Sequence, residues 1–446
     1  MTTHGTSASA GSGQTGRRPR VLVLVENLSV PFDRRVWQES RALTEAGYRV
    51  EVICPSGTKH DTEPFAEVDG VRIHRYPLNA ATGGPAGYLR EYGTALWRTL
   101  RIAWRLSRDE PFDVVHACNP PDLLFLIALA LRPSGARFIF DQHDLVPELF
   151  ESRFAGGPRV LHGISLLLER LTFRTADAVI STNESYREVA IRRGGMPHDR
   201  VRVVRSAPDL SRFVPVEPDP TLKRGKPFLA CYLGVMGPQD GVDYALRALA
   251  HLYGQMGRDD LHTTFIGNGD VFDEDVFDEM VALTRRLGLD EVVEFTGRVP
   301  DETVQRYLST ADICLSPDPK NPLNDVSSMN KVVEYMAMAR PLVSFDLHEA
   351  RVTAQDAAVY ASENDEAQFA KLIAELLDNP DRRERMGTIG RQRVEEALSW
   401  EISRRSLLAA YEDLLARPPR RREGRRRRGR GFGPREPRVS QPVSRR

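Results

Sequence analysis

The feature that most constrains the fold is a regular alternation of short apolar runs with amphipathic segments. VLVLVEN (21–27) is almost continuously apolar, RRVWQESRALTEAGY (34–48) has helical periodicity, and RVEVICP (49–55) is apolar again. Continuous apolar runs of this length are typical of buried parallel strands, and strand–helix–strand is the βαβ unit. The alternation stops near residue 213 and restarts at FLACYLGVMG (228–237). The pattern predicts an α/β protein with two doubly wound, Rossmann-like domains and a cleft between them.

Breaks in this alternation predict the domain boundaries. A Ser/Gly/Thr-rich segment (1–19) and an Arg-rich tail (417–446) have little to bury and are predicted to be disordered. Between them we expect an N-terminal domain (20–213), a Pro-rich linker (214–226), a C-terminal domain (227–398) and a last helix (399–416) that can pack back on the N-terminal domain.

The overall net charge of zero conceals a strong asymmetry. The tail from 417 to 446 carries 13 Arg and only two Glu, so the rest of the chain is acidic. Such a tail can bind anionic lipid or nucleic acid, although an unattached solvated tail explains it equally well. One aromatic residue, Phe432, interrupts the charges, so we expect no stacking platform and no specific nucleic-acid partner.

Composition excludes several classes of protein. Hydrophobic residues make up 41% and charged residues 28% of the chain, as in soluble globular proteins. No apolar run is long enough for a membrane span, and the N-terminus lacks the apolar core of a secretory signal, so a cytoplasmic location is expected. The four cysteines are scattered singly on apolar strands or just after them, and we predict that they are buried free thiols in a reducing compartment. No zinc-hydrolase, C-x-x-C or G-x-S-x-G motif is present.

The stretch SPDPKNPLNDVSSMNKVVEYMAMARPLVSFD (316–346) predicts a strand end, a turn-rich loop, a helix and another strand. Ser327 or Ser328 is predicted to cap the helix. A helix N-terminus that follows a strand in an α/β sheet offers free amides and a positive dipole to an anion. This stretch is therefore the first candidate for a functional site.

Three polar residues of that helix share one face. Asn330 and Lys331 lie in the first turn, and Glu334 lies one turn further on. A carboxylate at Glu334 can accept hydrogen bonds from two ribose hydroxyls, while the amides and Lys331 hold a diphosphate. The alternative is an ordinary exposed helix face, and spacing alone does not separate the two.

Two other strand ends carry candidates. His143 and Asp144 follow a predicted strand, and His143 can bind a substrate hydroxyl there; a solvated loop histidine is the alternative. Gly234 and Gly237 follow the first strand of the second half and allow close backbone approach to a ligand. GVMGPQDGVD is neither G-x-G-x-x-G nor a P-loop, so it is equally compatible with a plain turn.

Long motifs spread from about residue 21 to 415 carry a family resemblance. They are PFDRRVWQESRAL, DVVHACNPPDLL, FDQHDLVPELF, ISTNESYREVA, GVMGPQDGVDYALRAL, FTGRVPDE and SPDPKNPLND with SSMNKVVEYMAMARPLVSFDL. The chain resembles family-4 glycosyltransferases of the GT-B fold, in a subgroup assigned to bacterial polysaccharide and cell-wall glycan assembly. The resemblance implies an acceptor-binding N-terminal domain, a C-terminal domain that binds a nucleotide-sugar donor, retention of anomeric configuration, and no required metal or other cofactor.

The resemblance assigns a ribose-binding role to Glu334, which matches the second Glu of the family's E-x7-E pattern. The first Glu of that pattern would fall at Val326. Asp325 is the adjacent acidic residue, displaced by one position. The usual contact to the donor sugar's hydroxyls therefore departs from the family pattern, and the donor sugar stays open.

The family's phosphate-binding Arg and Lys would fall at Val235 and Asp240, so both cations are missing. The resemblance then makes Lys331 the best compensating cation, with Arg205 second. Gly234 and Gly237 match the phosphate loop.

The family's N-terminal Gly-Gly loop is replaced by SVPFDRR, which offers Arg34 and Arg35 on the acceptor side. His143 matches the histidine of the family's HD loop beside the reacting sugar, followed by Asp144 on the acceptor side. The resemblance thus implies catalytic roles for His143 and Lys331, in a mechanism that is mostly electrostatic and positional.

Other functions remain open at this stage. A non-hydrolysing nucleotide-sugar epimerase can share the two-domain architecture, and the substituted positions also suit a non-catalytic glycan- or nucleotide-binding protein. A third reading is a partner role driven by the Arg-rich tail. If the acceptor is lipid-linked, we expect peripheral contact with the inner membrane face through the loop near Arg34 or a helix over 88–105, for which an ordinary half-buried helix is the alternative.

Overall fold

The computed structural model describes residues 17–57, 61–78, 84–153, 159–269 and 275–418. Most of the two terminal segments that the sequence predicts to be disordered lie outside these ranges. Within them the chain forms two α/β domains, each built on its own sheet.

Fourteen strands are described, and they form an eight-stranded and a six-stranded sheet. The strands are β1 (Arg20–Leu24), β2 (Arg49–Pro55), β3 (Phe65–Val68), β4 (Val71–Tyr76), β5 (Val114–Cys118), β6 (Arg137–Gln142), β7 (Ala178–Ser181), β8 (Val201–Val203), β9 (Phe228–Leu233), β10 (Leu261–Ile266), β11 (Val293–Gly297), β12 (Ile313–Ser316), β13 (Leu342–Phe345) and β14 (Ala358–Ala361). The strand orders are β3-β4-β2-β1-β5-β6-β7-β8 and β11-β10-β9-β12-β13-β14.

The sheets are parallel, as the sequence predicts, with one exception. β3 pairs antiparallel with β4 through a tight turn at Asp69 and Gly70, both with positive φ. The alternation of strands and helices predicts parallel pairing, and this hairpin departs from it. β3 is an edge strand whose residues are only partly buried or exposed, so it lacks the apolar run by which the buried strands were recognised.

Fourteen α-helices cover the sheets. They are α1 (Arg34–Glu45), α2 (Gly84–Asp109), α3 (Phe125–Leu131), α4 (Val146–Arg153), α5 (Arg159–Thr175), α6 (Glu184–Arg192), α7 (Val242–Ala250), α8 (Asp275–Arg286), α9 (Asp301–Thr310), α10 (Asn330–Ala337), α11 (His348–Ala354), α12 (Glu366–Leu377), α13 (Pro380–Arg393) and α14 (Trp400–Ala416). None of the helices in the described ranges has the length and hydropathy needed to cross a bilayer.

β1 shows why the apolar runs become central strands. Its side chains alternate between the two faces of the sheet. Leu22 and Leu24 enter the core formed with α2 and α3, whereas Val21 and Val23 enter the core formed with α1 and α14. Burial on both faces requires an apolar residue at every position, which is the continuous pattern seen in the sequence.

The last helix, α14, returns to the N-terminal domain. Leu407, Tyr411 and Leu414 are buried in the same core as β1, and α14 contacts α1, β7 and β8. Arg202 of β8 forms an ion pair with Asp413. The chain therefore passes between the two sheets twice, once between β8 and β9 and once immediately before α14.

Candidate functional site

α10 begins at Asn330, with Met329 as its extended N-cap and no side-chain cap. The prediction that Ser327 or Ser328 caps this helix was wrong. The Ser327 hydroxyl instead donates to the carbonyl of Leu323 at 2.7 Å, because a short 3₁₀ turn over Asn324–Val326 precedes the helix. The amides of the first turn of α10 thus have no side-chain acceptor of this kind.

Glu334 and Asn330 line a cavity of about 350 Å³ between the two domains. Its basic lining residues are Arg34, Arg35, Arg212 and Arg298. Burial raises the pKa of the Glu334 carboxyl to about 7, although Arg34, Lys331 and Arg212 act to lower it. The raised pKa of Glu334 thus belongs to a carboxyl that lines a basic interdomain cavity.

Two of the cavity arginines are tied to one carboxylate of the C-terminal domain. Asp301, at the start of α9, accepts a hydrogen bond from Arg34 at 2.7 Å and another from Arg212. A third cavity arginine, Arg298, has its guanidinium carbon 4.2 Å from the centroid of the Phe32 ring. These contacts cross between the domains, so three side chains from different segments hold positive charge around the cavity.

Lys331 is buried and already paired. Its Nζ lies 2.6 Å from Asp318 Oδ1, 3.3 Å from Asp240 Oδ1 and 3.3 Å from the Tyr232 hydroxyl. Burial acts to lower the pKa of Lys331, but Asp318 and Asp240 outweigh it and raise that pKa above its ordinary value. Two carboxylates thus face one ammonium group, and the positive charge that the sequence assigned to a diphosphate is compensated within the protein.

The backbone beside this group is closely packed. The Gly237 amide donates to Asp240 Oδ2 at 3.0 Å, and Gly234 lies against Gly267 of the neighbouring loop. A Cβ built on Gly267, where φ is +136°, would lie 1.9 Å from the Gly234 carbonyl oxygen. The two loops follow adjacent strands, β9 and β10, so glycine allows them to meet at the cleft edge of the sheet.

His143 belongs to a network centred on Asp141, a fully buried residue of β6. Asp141 lies 2.6 Å from His143 Nε2 and 2.9 Å from Arg35. Burial acts to raise the pKa of Asp141, but Arg35 and His143 outweigh it and hold that pKa well below its usual range. An ionised carboxylate can only accept, so Nε2 of His143 carries a proton and Nδ1 remains for another partner.

The same carboxylate connects to the last helix. His116 Nε2 lies 3.3 Å from Asp141, and His116 Nδ1 lies 2.7 Å from the Tyr411 hydroxyl. In the described part of the chain, His116, Cys118 and Asp141 also place their ligand atoms within 4.8 Å of one another. Both His116 nitrogens already have protein partners, so we assign this group a structural role.

The remaining sequence candidates lie elsewhere. Arg35 is buried and directed at Asp141, while Arg34 is exposed at the cavity.

Arg205 lies 3.9 Å from Glu349. Asp325 accepts from the amide of His348 at 2.9 Å, at the start of α11. The backbone amide of Asp144 donates to Asn119 at 3.1 Å. Thus Asn330, Glu334, Arg34 and Arg35 share the cavity, whereas Arg205 and Asp325 make contacts outside its lining.

The loop before α10 also joins the two domains. Asn183 donates to the Val326 carbonyl at 2.9 Å, and the Tyr186 and Ser327 hydroxyls are 2.9 Å apart. Ser185 donates to Glu349 at 2.6 Å. These contacts place the start of α6 against the region where the family's first Glu would fall.

Several important residues were missed by the sequence reasoning. They are Asp318, Asp301, Arg212, Arg298 and Tyr411. Asp318 had a usable signal, because it lies two residues after the end of β12 and strand ends carry ligand-binding groups in such sheets. The others act across the domains or through the last helix, and no local pattern marks them.

Models of two glycosyltransferase domains match this chain. One, described as a glycosyl transferase 4-like domain, covers residues 33–207, and the other, described as glycosyl transferases group 1, covers residues 227–379. Together they cover most of both domains and leave residues 208–226 between them.

Relatives with assigned activities are similar over much of their length. An alpha-maltose-1-phosphate synthase of Mycolicibacterium smegmatis is 26% identical over 63% of this chain and 74% of its own. A 2-deoxystreptamine glucosyltransferase of Streptomyces kanamyceticus is 24% identical over 78% and 89%. Among solved structures, a sucrose-phosphate synthase of Thermosynechococcus elongatus superposes with a TM-score of 0.73, at 19% identity, over 90% of this chain and 100% of that one. An Anabaena protein crystallised with UDP-glucose gives 0.66, at 13% identity, over 88% and 99%.

Proposed function

This chain belongs to the GT4-like glycosyltransferases of the GT-B fold, and from that membership we propose that it transfers a hexose from a nucleotide-diphosphate sugar to a hydroxyl of a glycan or lipid-linked acceptor. Transfer proceeds with retention of anomeric configuration, in polysaccharide or cell-wall glycan synthesis, and needs no metal. The observation that carries the proposal is Glu334 facing an arginine-lined cavity between the two domains.

In this proposal the donor lies along the C-terminal domain. The ionised Glu334 accepts hydrogen bonds from the ribose hydroxyls, and the amides that begin α10 face the diphosphate. Gly234 and Gly237 let the backbone approach the phosphates. A UDP-glucose complex of a structurally similar protein supports a nucleotide-sugar donor in this fold.

Charge compensation differs from the family pattern. Lys331 is shared between Asp318 and Asp240, so it offers a diphosphate less net charge than its position suggests. Arg35 is compensated by Asp141 and Glu39, whereas Arg34 and Arg212 share Asp301 alone. With Arg298, these two arginines supply the remaining positive potential. We therefore assign the electrostatic stabilisation of the departing nucleoside diphosphate to α10, Lys331 and these arginines together.

His143 has a positioning role on the acceptor side. Asp141 fixes its ring through Nε2, leaving Nδ1 to accept a hydrogen bond from a sugar hydroxyl. The acceptor hydroxyl attacks the anomeric carbon on the same face from which the nucleoside diphosphate leaves. The proton of this hydroxyl passes to the phosphate oxygen that was bonded to the sugar. The new glycosidic bond forms as the anomeric carbon–oxygen bond breaks, so the step needs no second carboxylate.

The test is acceptor-dependent release of nucleoside diphosphate from UDP-, GDP- and ADP-sugars, after thermal-shift screening for the donor that binds. We expect one donor class to raise the melting temperature and to be turned over only when an acceptor is present. Glu334→Gln should weaken donor binding, and Glu302→Gln, an exposed carboxylate on α9, serves as the matched control. Acceptor-independent conversion of the donor would indicate an epimerase. Donor binding without turnover across an acceptor panel would indicate a non-catalytic binding protein.

A further inference from the structure

One surface of the N-terminal domain exposes apolar and basic side chains that the proposed reaction does not use. Eight of the 14 large apolar side chains that are exposed among the described residues belong to α2, α3 and α5. α3 contacts both of the other helices, and all three bury their opposite sides in one core. Their outer faces, named here the α2–α3–α5 surface, therefore lie side by side.

On α2 the outward residues alternate between aromatic and basic. Trp97, Arg101, Trp104 and Arg108 follow the spacing i, i+4, i+7, i+11, which places them on one stripe of a helix. Trp97 is 58% exposed and Trp104 is 55% exposed. Arg101 lies 5.6 Å from the Trp97 ring and Arg108 lies 4.3 Å from the Trp104 ring. Two indole rings are thus held at the surface with cations against their faces.

α5 repeats this spacing with aliphatic residues. Val160, Ile164, Leu167 and Leu171 are all exposed along one stripe. Between the two helices, Leu126 and Leu129 of α3 are exposed as well. An ordinary amphipathic helix has its charged residues on the outward stripe. All three helices differ from this pattern, because each exposes large apolar side chains on its outward face.

An arginine-lined pocket borders the apolar stripe of α5. Its volume is about 460 Å³, and Arg170, Arg174 and Arg193 line it. Arg193 is paired with the buried Glu169 at 2.6 Å. Arg170 and Arg174 are exposed, and neither forms an ion pair with another residue in the described part of the chain. The pocket can therefore accept an anionic group next to apolar surface.

We propose that the α2–α3–α5 surface docks on an anionic lipid bilayer. Indole rings and leucine side chains are suited to the headgroup–acyl boundary, and arginines beside them attract anionic headgroups. The pocket at Arg170 and Arg174 receives a lipid phosphate. A second copy of the chain is a poorer fit, because two such basic surfaces would repel each other. Nucleic acid is also a poorer fit, because its phosphate backbone makes no favourable contact with the aliphatic stripe of α5.

The test uses the full-length protein and sedimentation with vesicles of phosphatidylcholine, either pure or containing about 30% phosphatidylglycerol. We expect binding to the anionic vesicles at physiological salt, with a blue shift of tryptophan emission. The variant W97S/W104S should lose about tenfold or more in binding, and I164S/L167S should lose a similar amount. The control M256S/I389S removes two other exposed apolar side chains, from the C-terminal domain, and should bind as the unaltered protein does. Turnover of a soluble acceptor should not change in any of these variants, which separates this proposal from the proposed reaction.

The basic tail can also attract anionic vesicles, so the salt dependence is informative. Binding through charge alone disappears near 0.5 M salt, whereas the apolar contribution persists. The proposal is overturned if W97S/W104S binds vesicles like the control at both salt concentrations. The proposal is also overturned if light scattering without lipid shows a dimer that the W97S/W104S substitution abolishes, because the surface then binds a second copy of the chain. It is overturned as well if a duplex oligonucleotide displaces the unaltered protein from vesicles and this displacement requires Trp97, because the surface then binds nucleic acid.

Discussion

The hydroxyl of Tyr411 lies 2.7 Å from Nδ1 of His116, and this contact joins the last helix to the centre of the first domain. His116 in turn approaches Asp141, which holds His143. Two buried side chains, His116 and Asp141, thus lie between Tyr411 of α14 and His143.

The first prediction concerns this connection. Tyr411→Phe removes one buried hydrogen bond and should lower the free energy of unfolding by about 1 kcal/mol. If the network positions His143, kcat should also fall while the KM for the donor stays the same. The control is Tyr48→Phe, a half-buried ring in edge contact with Tyr411. A loss of stability with unchanged kcat would assign Tyr411 to packing alone.

The second prediction concerns the pH dependence of donor binding. Burial raises the pKa of Glu334 to about 7, and only its ionised form can accept from two ribose hydroxyls. The KM for the donor should therefore rise as the pH falls from 8 to 6. Glu334→Gln should bind the donor about tenfold or more weakly at pH 8 and show a flatter profile. If the KM of the unaltered protein for the donor changed with pH no more than that of Glu334→Gln, ribose binding by the ionised Glu334 would be contradicted.

The same shift has a consequence for stability. The folded protein keeps the Glu334 proton to a higher pH than the unfolded chain does. Between pH 4.5, the ordinary pKa of a glutamate, and about pH 7, the folded protein therefore binds more protons than the unfolded chain. The stability gained from this group is present below that interval and is lost as the pH rises through about 7. At pH 8, Glu334→Gln should accordingly melt at a higher temperature than the unaltered protein.

The third prediction concerns the carboxylates that share Lys331. Asp240→Asn removes one negative charge from the ammonium group at 3.3 Å and leaves Asp318 in place. Binding of the nucleoside diphosphate product should become several-fold tighter, because Lys331 then offers more net positive charge. Asp243→Asn, three residues along the chain and paired with Arg247, is the control. Isothermal titration with UDP and GDP measures the effect, and unchanged or weaker binding would exclude Lys331 from the phosphate site.

The fourth prediction concerns the glycine that lets two loops meet. A side chain at Gly267 would collide with the Gly234 carbonyl, so Gly267→Ala should cost more than about 3 kcal/mol or displace the loop. Gly257→Ala is the control, because its φ is +66° but no atom lies within 4 Å of the added Cβ. It should cost only about 1 kcal/mol. Equal denaturation midpoints for the two variants would contradict this account.

The order of strands and helices could be predicted because most buried strands are short, mainly apolar runs that alternate with amphipathic segments. The edge strand β3 carries no such pattern and was missed. At the site, Asn330, Lys331 and Glu334 were correctly placed within the first two turns of one helix. The pairing of Lys331 with Asp318 and Asp240 was missed, because the partners are 13 and 91 residues away in the chain and charge neutralisation depends on the folded distance. Burial of the four cysteines as free thiols is confirmed.

The return of α14 also limits how the two halves can move. The Trp400 amide at the start of α14 donates to the Pro208 carbonyl at 3.4 Å, so the two connections between the domains run close together. We therefore expect a motion that admits a large substrate to be a rotation about an axis near these connections, with strain borne between β8 and β9 and at the start of α14. Shortening either connection should therefore slow opening of the cleft and release of product before it alters the chemistry.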